Sequence, residues 1–475
     1  MSAIRLSHVL SGAAAALLPL LLVSNCGTEV PTSPAVPTIE AGAAGGPGVT
    51  VRSTVPSASP RDTSISVQVL GSGFDRGSRA AWALAGDTAV ATTKIRVDST
   101  TFVSPHELIA DVTIGADAAL DRYDVQVVAS NGKKGIGIEL FEVTVNMTAL
   151  PNLSAQGVGG ASGINDAGTV VGSNWANDHL YAVRWTKRGR IWTIEKLPAN
   201  TNDPLAAVAN DIADDGTIVG HRFHLNTDDQ RPRATVWPVS GGIVDIGPGV
   251  PLGVNPQGTV VGARADNDNS GGQGIRAVVW NRTSGRTWAP GLLLPRLPGW
   301  HSTQALGINP SGNIIAGQAY DAEDIGYAVK WVLVGGQWQG PIRLDNVAES
   351  YATLVNASGD IAGGGFPCGN RQDCQPQAMF WPAHGSRSDL GTLGVFLSVD
   401  TPIGLSNSGE VVGLALTPDF EEYAYIWRPS SGTVVNLGRL IGDEFSVATD
   451  INGHHQVVGS SGGPNGGHAI VWTPR

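Results

Sequence analysis

Four aromatic residues each stand three positions after a glycine that recurs through the second half of the chain: Trp175, Phe223, Tyr320 and Phe366. Carboxylates crowd the segments that follow, among them Asp178, Asp228, Asp268 and Asp324, with Glu421 beside a fifth aromatic, Phe420. Aromatic platforms beside carboxylate acceptors suit sugars or cationic peptides. Sharper chemistry finds less support. The run Asp266-Asn267-Asp268-Asn269-Ser270-Gly271 opens like a calcium loop, but the twelfth position is Ala277 where that loop needs Glu. The EF-hand reading fails there, and only a looser calcium site stays open. His221 and His224, and His454 and His455, are the close histidine pairs; they fall in different repeats and lack a Cys partner or the HExxH frame of a zinc site. The sequence therefore offers no catalytic, cofactor or metal residue, and its candidate site is a ligand-binding surface.

The loops that carry these residues are placed by a repeat. Ala-x-x-Trp occurs seven times, ending at Trp185, Trp237, Trp280, Trp331, Trp381, Trp427 and Trp472. Each copy follows a second element, first seen as Gly163-Ile164-Asn165-Asp166-Ala167-Gly168-Thr169-Val170-Val171-Gly172. Asn holds the turn position at 165, 255, 309, 356 and 452, with Ala213 and Ser406 in the other two copies. Gly holds the last turn position in six copies and His455 in the seventh, which fits a type I turn closing into a positive-φ residue. A hairpin, the Ala-x-x-Trp strand and a fourth strand such as Trp192-Thr193-Ile194-Glu195-Lys196-Leu197 make one propeller blade. Seven copies predict a seven-bladed β-propeller over 147–475. The last copy ends without a fourth strand, and Thr148 to Leu153 ahead of the first copy matches the missing one, so strand 148–153 is expected to close the ring. The turns are uniform, while the segment between each recurring Gly and the next Ala varies from 9 to 14 residues, so binding is expected on the variable-loop face. The tryptophans are expected to pack between blades and the turn asparagines to satisfy local backbone groups.

These units resemble the HAF repeats of bacterial extracellular proteins, in which Ile-Asn-x-x-Gly-x-Val-Val-Gly alternates with Ala-x-x-Trp and a Leu-Gly strand. That resemblance covers 148–475 and implies an exported propeller; it supplies no catalytic residues. The Trp-Asp pair of WD repeats is absent, as is the Ser-x-Asp-x-Gly-x-x-Trp box of sialidase-like propellers.

Upstream, residues 49–146 read as a separate β-sandwich. Ser64 to Val69 alternates polar and apolar with period two, Phe74 follows a Gly-Ser-Gly break, and Asn131-Gly132 marks a hairpin. About a hundred residues of short strands suit an immunoglobulin-like fold. The run from Pro60 through Gly71-Ser72-Gly73-Phe74, Leu108-Ile109-Ala110 and Tyr123-Asp124-Val125 to Asn131-Gly132 resembles an IPT/TIG domain, which implies a spacer or interaction module.

The first residues read as an export signal over 1–26: Arg5, then an apolar stretch from Val9 to Val23, too short to span a membrane comfortably. Its end, Leu22-Val23-Ser24-Asn25-Cys26-Gly27, resembles a bacterial lipobox, which implies acylation of Cys26 and a membrane contact through lipid alone. Residues 27–48, rich in Pro, Ala and Gly, read as a spacer. Cys368 and Cys374 share a short polar loop and are expected to form a disulfide in an exported protein. A net charge of −11 argues against nucleic acid as a partner. Glycine, at 63 of 475 residues, excludes long helices and leaves an all-β class.

The expectation is a monomeric, lipid-anchored binding or adhesion protein of the cell envelope, non-enzymatic, taking a carbohydrate or protein ligand and no cofactor. Two other readings stay open: an envelope enzyme acting on polysaccharide or peptide in the propeller channel, and a structural component of an envelope assembly.

Overall fold

The computed structural model describes residues 48–85, 92–115, 118–199, 205–224, 231–266, 274–366, 377–390, 398–416, 422–440, 442–463 and 466–474. Cys26, Cys368, Cys374, Asp228, Asp268, Phe420 and Glu421 lie outside them, as do the expected signal and nearly all of the spacer. Among the described residues every regular element is a strand. They divide into two compact units, one ending at Asn146 and the other running from Met147 to Pro474.

The first unit holds two four-stranded sheets. One runs Thr50–Val55, Thr63–Ser72, Glu107–Ile114, Ile95–Ser104; the other runs Ala58–Pro60, Lys134–Thr144, Arg122–Val128, Arg79–Leu84. Alternation decides which face is inside. In Glu107–Ile114 the buried residues are Leu108, Ala110, Val112 and Ile114, while Asp111 accepts the hydroxyls of Ser66 and Ser99 on the outer face. Both sheets contribute to one core, where Trp82 meets Phe141 edge-on at 5.9 Å. Phe74 is buried in that core. The turn at Asn131-Gly132 joins two paired strands, with Gly132 at φ 78°.

The second unit holds seven four-stranded sheets among its described residues. The first is built from Val158–Ile164, Val170–Ala176, His179–Arg188 and Ile191–Lys196, in chain order. First strands of consecutive sheets meet one another all the way round, and the last, Phe445–Ile451, meets Val158–Ile164. The sheets therefore form a closed ring with their first strands around its axis. The seventh sheet takes its fourth strand, Asn146–Ala149, from before the first sheet. That strand lies two residues ahead of the expected 148–153: Leu150 N–H still bonds Ala469 O at 2.8 Å, but Pro151 has no N–H with which to extend the ladder.

The repeated residues are consumed in joining sheets. The alanine of Ala-x-x-Trp is buried in every copy, between 0% and 3% exposed, and in several copies both its backbone groups are used. Its carbonyl accepts the N–H of a fourth-strand leucine, as in Leu197 to Ala182 at 2.9 Å and Leu437 to Ala424 at 2.8 Å. Its N–H reaches a hydroxyl at the start of the next sheet: Ala277 to Thr303 Oγ1 at 3.0 Å, Ala328 to Ser350 Oγ at 2.9 Å, Ala424 to Ser446 Oγ at 2.9 Å. A larger side chain would separate these partners. The seven tryptophans are at most 7% exposed. Three donate their indole N–H to the preceding leucine-proline segment, Trp185 to Pro151 O, Trp237 to Pro198 O and Trp331 to Pro295 O.

Candidate functional site

The turns between first and second strands lie at one end of the ring, and they are structural. Gly168, Gly216, Gly258, Gly312, Gly359 and Gly409 all have positive φ, as does His455 at 59°. Each turn asparagine caps its own loop: Asn165 Oδ1 accepts Thr169 N–H at 3.0 Å, and Asn452 Oδ1 accepts Gln456 N–H at 2.9 Å. Three also reach the neighbouring turn, Asn165 to Ala213 O, Asn356 to Ser406 O and Asn452 to Asn165 O. The residue after the asparagine position binds in the other direction where it can accept. Asp214 takes Asp166 N–H, Asp166 takes Gly453 N–H and Asn407 takes Ala357 N–H. His455 turns its imidazole onto Glu410, which also holds Arg428 at 3.0 Å.

The opposite end carries the variable loops. Trp175 sits in Val170–Ala176, paired with Val158 and Leu180, and is 41% exposed. Phe223, in Ile218–His224, is half-buried and meets the His221 ring edge-on at 5.0 Å. Phe366 follows Ile361–Gly365 and is half-buried. Asp178 is exposed in the tight connection after Trp175, at φ 61°. Trp175 and Asp178 share the loop of the first sheet, and Phe223 and Phe366 stand at the loops of the second and fifth. Tyr320 and Asp324 share the loop of the fourth, and around them a denser constellation forms.

Tyr320 ends the strand Ile314–Tyr320 and donates its hydroxyl to Gln318 Oε1 at 2.8 Å. Gln318 Nε2 donates in turn to Ser350 O at 3.1 Å in the next sheet. Gln304, in register with Gln318 and 4% exposed, lies beside it with its Oε1 unpaired. Burial, with the carboxylates of Glu349 and Asp324 nearby, pushes the Tyr320 phenol up to about 12. Glu349, at φ 52°, accepts Gly326 N–H, and burial holds its carboxyl above the usual range. Asp324, at φ 64°, holds His301 Nε2 at 2.7 Å. A phenol that is protonated and already donating serves neither as nucleophile nor as base at neutral pH. The carboxylates of Asp324 and Glu349 each have acceptor lone pairs beyond the contacts just named, while the hydroxyl of Tyr320 is already committed to Gln318.

Sequence reasoning missed His301 and Glu349. They precede the first strands Ser302–Ile308 and Tyr351–Val355, so they lie in the connections that enter each sheet. Those connections share the variable-loop end of the ring, and their placement just before each first strand was the available signal.

A second constellation lies at the axis. Each first strand carries a bulge two residues before the turn. The residue closing it is Gly163, Asp211, Gly253, Gly307, Leu354, Gly404 or Asp450. Neighbouring bulges approach closely: a Cβ on Gly404 would stand 2.8 Å from Asp450 Cα, and one on Gly307 3.1 Å from Leu354 Cα. Both aspartates bridge sheets. Asp450 accepts Ile451 N–H and, from the first sheet, Ile164 N–H, each at 2.8 Å. Asp211 accepts Ile212 N–H at 2.7 Å and, from the third sheet, Val254 N–H at 2.8 Å. Among the described residues no group of three or more His, Cys, Asp or Glu is placed to hold a metal ion.

No family model matches the chain, and no curated protein matches it. Several solved structures are similar. The β-propeller domain of the Trilobed protease from Pyrococcus furiosus is 11% identical, covering 67% of this chain and 96% of that one, with a TM-score of 0.42. TolB from Acinetobacter baumannii is 14% identical over 64% of this chain and 79% of that one, with a TM-score of 0.36. An auxiliary nutrient binding protein from Bacteroides ovatus is 12% identical over 90% of this chain and 99% of that one, with a TM-score of 0.32.

Proposed function

We propose that the chain is an exported, lipid-anchored binding protein of the cell envelope. Residues 147–475 are read as a seven-bladed propeller of HAF-type repeats, and residues 49–146 as an immunoglobulin-like sandwich of the IPT/TIG type. The sandwich and the spacer carry the propeller away from the membrane to which Cys26 is anchored. The ligand is a carbohydrate or a protein segment rich in hydrogen-bond donors, held on the variable-loop face without covalent chemistry. One observation carries this reading. The repeated residues are spent on joining sheets, whereas Tyr320, Asp324, Glu349 and His301 gather at the loop end and occur once. A ligand that needs a unique site must use residues that are not repeated.

The test is glycan-array and peptide-array binding by the purified full chain, followed by affinity measurement on variants. Trp175→Ala and Tyr320→Ala, which remove the rings, are expected to weaken binding by about 1 kcal/mol or more, beyond any loss of stability. Asp166→Ala in a uniform turn is expected to leave affinity unchanged. Loss of binding in the turn variant alone would place the ligand at the other end of the ring.

A further inference from the structure

Asp211 and Asp450 occupy one register position, the penultimate residue of the first strand, in the second and seventh sheets. The sheet between them carries Gly163 there. A Cβ on Gly163 would stand 3.3 Å from Asp211 Cα and 3.4 Å from Asp211 Oδ1, while Asp450 Oδ2 lies 2.8 Å from Ile164 N. The two carboxylates therefore flank a single peptide step, Gly163 to Ile164, with no side chain interposed by the first sheet.

Among the described residues no cation acts on them. The side chains that act on Asp450 are Asp211 and Asp214, and the one that acts on Asp211 is Asp214. Asp214 itself is tied to the first sheet through Asp166 N–H. Asp166, the acidic side chain of the first sheet's turn, is taken up by Gly453 N–H. Arg428, at the end of Glu422–Arg428, and the His455 imidazole are both engaged with Glu410. Two desolvated carboxylates this close, with acids for neighbours, repel each other when both are ionised.

We propose that Asp211 and Asp450 act as one proton-holding pair at the axis, so that the ring is held more tightly in acid than in alkali. A protonated member keeps its backbone acceptor contacts through its remaining lone pairs and removes the mutual repulsion. Ionisation of both puts uncompensated charge on the bridges between the seventh and first sheets and between the second and third. The seventh-to-first bridge is also where the two ends of the ring meet.

The sign follows from linkage. Burial first, then mutual repulsion for Asp450, raises the carboxyls to about 6 for Asp211 and about 8 for Asp450, against 3.8 in an ordinary setting. Both residues are half-buried. The two titrate as a unit. Above the ordinary value the folded chain binds more protons than the unfolded one, so this contribution is fully present in acid and is lost as pH rises through the folded values. Each pH unit crossed with one extra proton bound weakens the folding equilibrium about tenfold.

The experiment is denaturant unfolding of the full chain from about pH 5 to about pH 9, with Asp211→Gly, Asp450→Gly and the exposed Asp98→Asn compared against the parent. Glycine is what four other sheets carry at this position. The parent and Asp98→Asn are expected to lose stability across that range; Asp211→Gly and Asp450→Gly are each expected to flatten the slope, because either removes one carboxyl and the repulsion it exerts on the other. Equal slopes in all four proteins would overturn the proposal. Infrared spectroscopy of the parent at neutral pH gives a readout independent of variant folding: a protonated-carboxyl carbonyl band supports the pair, and its absence overturns it.

Discussion

Replacing Leu150 by Ala tests whether the ring is closed by a strand from before the first sheet. Leu150 is 2% exposed and packs with Ala161, Val170, Val183, Trp185, Val458 and Ala469, so it touches both the first and the seventh sheets. Its N–H bonds Ala469 O, and the next residue, Pro151, receives the Trp185 indole N–H at 2.8 Å. Truncating a buried leucine costs about 3 kcal/mol. A unit of about 330 residues has an unfolding entropy of about 0.7 kcal/mol/K, so the melting temperature should fall by about 4 °C. Differential scanning calorimetry on the full chain reads the shift. Ile191→Ala, at a side chain 69% exposed on a fourth strand, is the control and should cost under about 0.5 kcal/mol. A Leu150→Ala shift no larger than the control's would mean that the segment does not hold the seam.

Three more outcomes are expected, each read by chemical unfolding. Tyr320→Phe strips the donor from Gln318 Oε1 and should destabilise the fold by about 1 kcal/mol, measured by chemical unfolding, without altering the far-ultraviolet spectrum. In the turns, Gly312→Ala should cost about 1 kcal/mol or more, because its φ is 73° and a Cβ would stand 2.6 Å from Asn255 Nδ2; His455→Gly relieves the same backbone preference but loses the Glu410 contact, so its net change should be smaller.

The scaffold was legible because its demands recur. Seven positive-φ turn positions call for glycine or a tolerant substitute, and seven crowded alanine positions admit no larger side chain; each leaves a mark that spacing reveals. Trp175, Phe223, Tyr320 and Phe366 were found by their common offset from the recurring glycine, and the structure places them at or just beyond the ends of second strands. What escaped the sequence depends on pairs brought together across sheets. Glu349 approaches Tyr320 only because the connection into the fifth sheet folds over the fourth. Asp211 and Asp450 lie 239 positions apart and look like ordinary strand residues until the ring sets them on either side of Gly163. The clue was present in the alignment of repeats, where the position before the turn reads glycine in four copies and aspartate in two.

The borrowed fourth strand of the seventh sheet bears on how such a chain can change its size. Because the chain enters the ring with a fourth strand and leaves it with a third, the stretch that recurs in the sequence is offset by one strand from the sheet that recurs in space. Duplicating or deleting one whole recurring stretch anywhere inside the chain alters the number of sheets but leaves both ends as they were. The terminal strand would still find the same unpaired edge on the final sheet. Ring size can thus drift by unequal recombination between repeats while the joint that seals the circle is inherited intact.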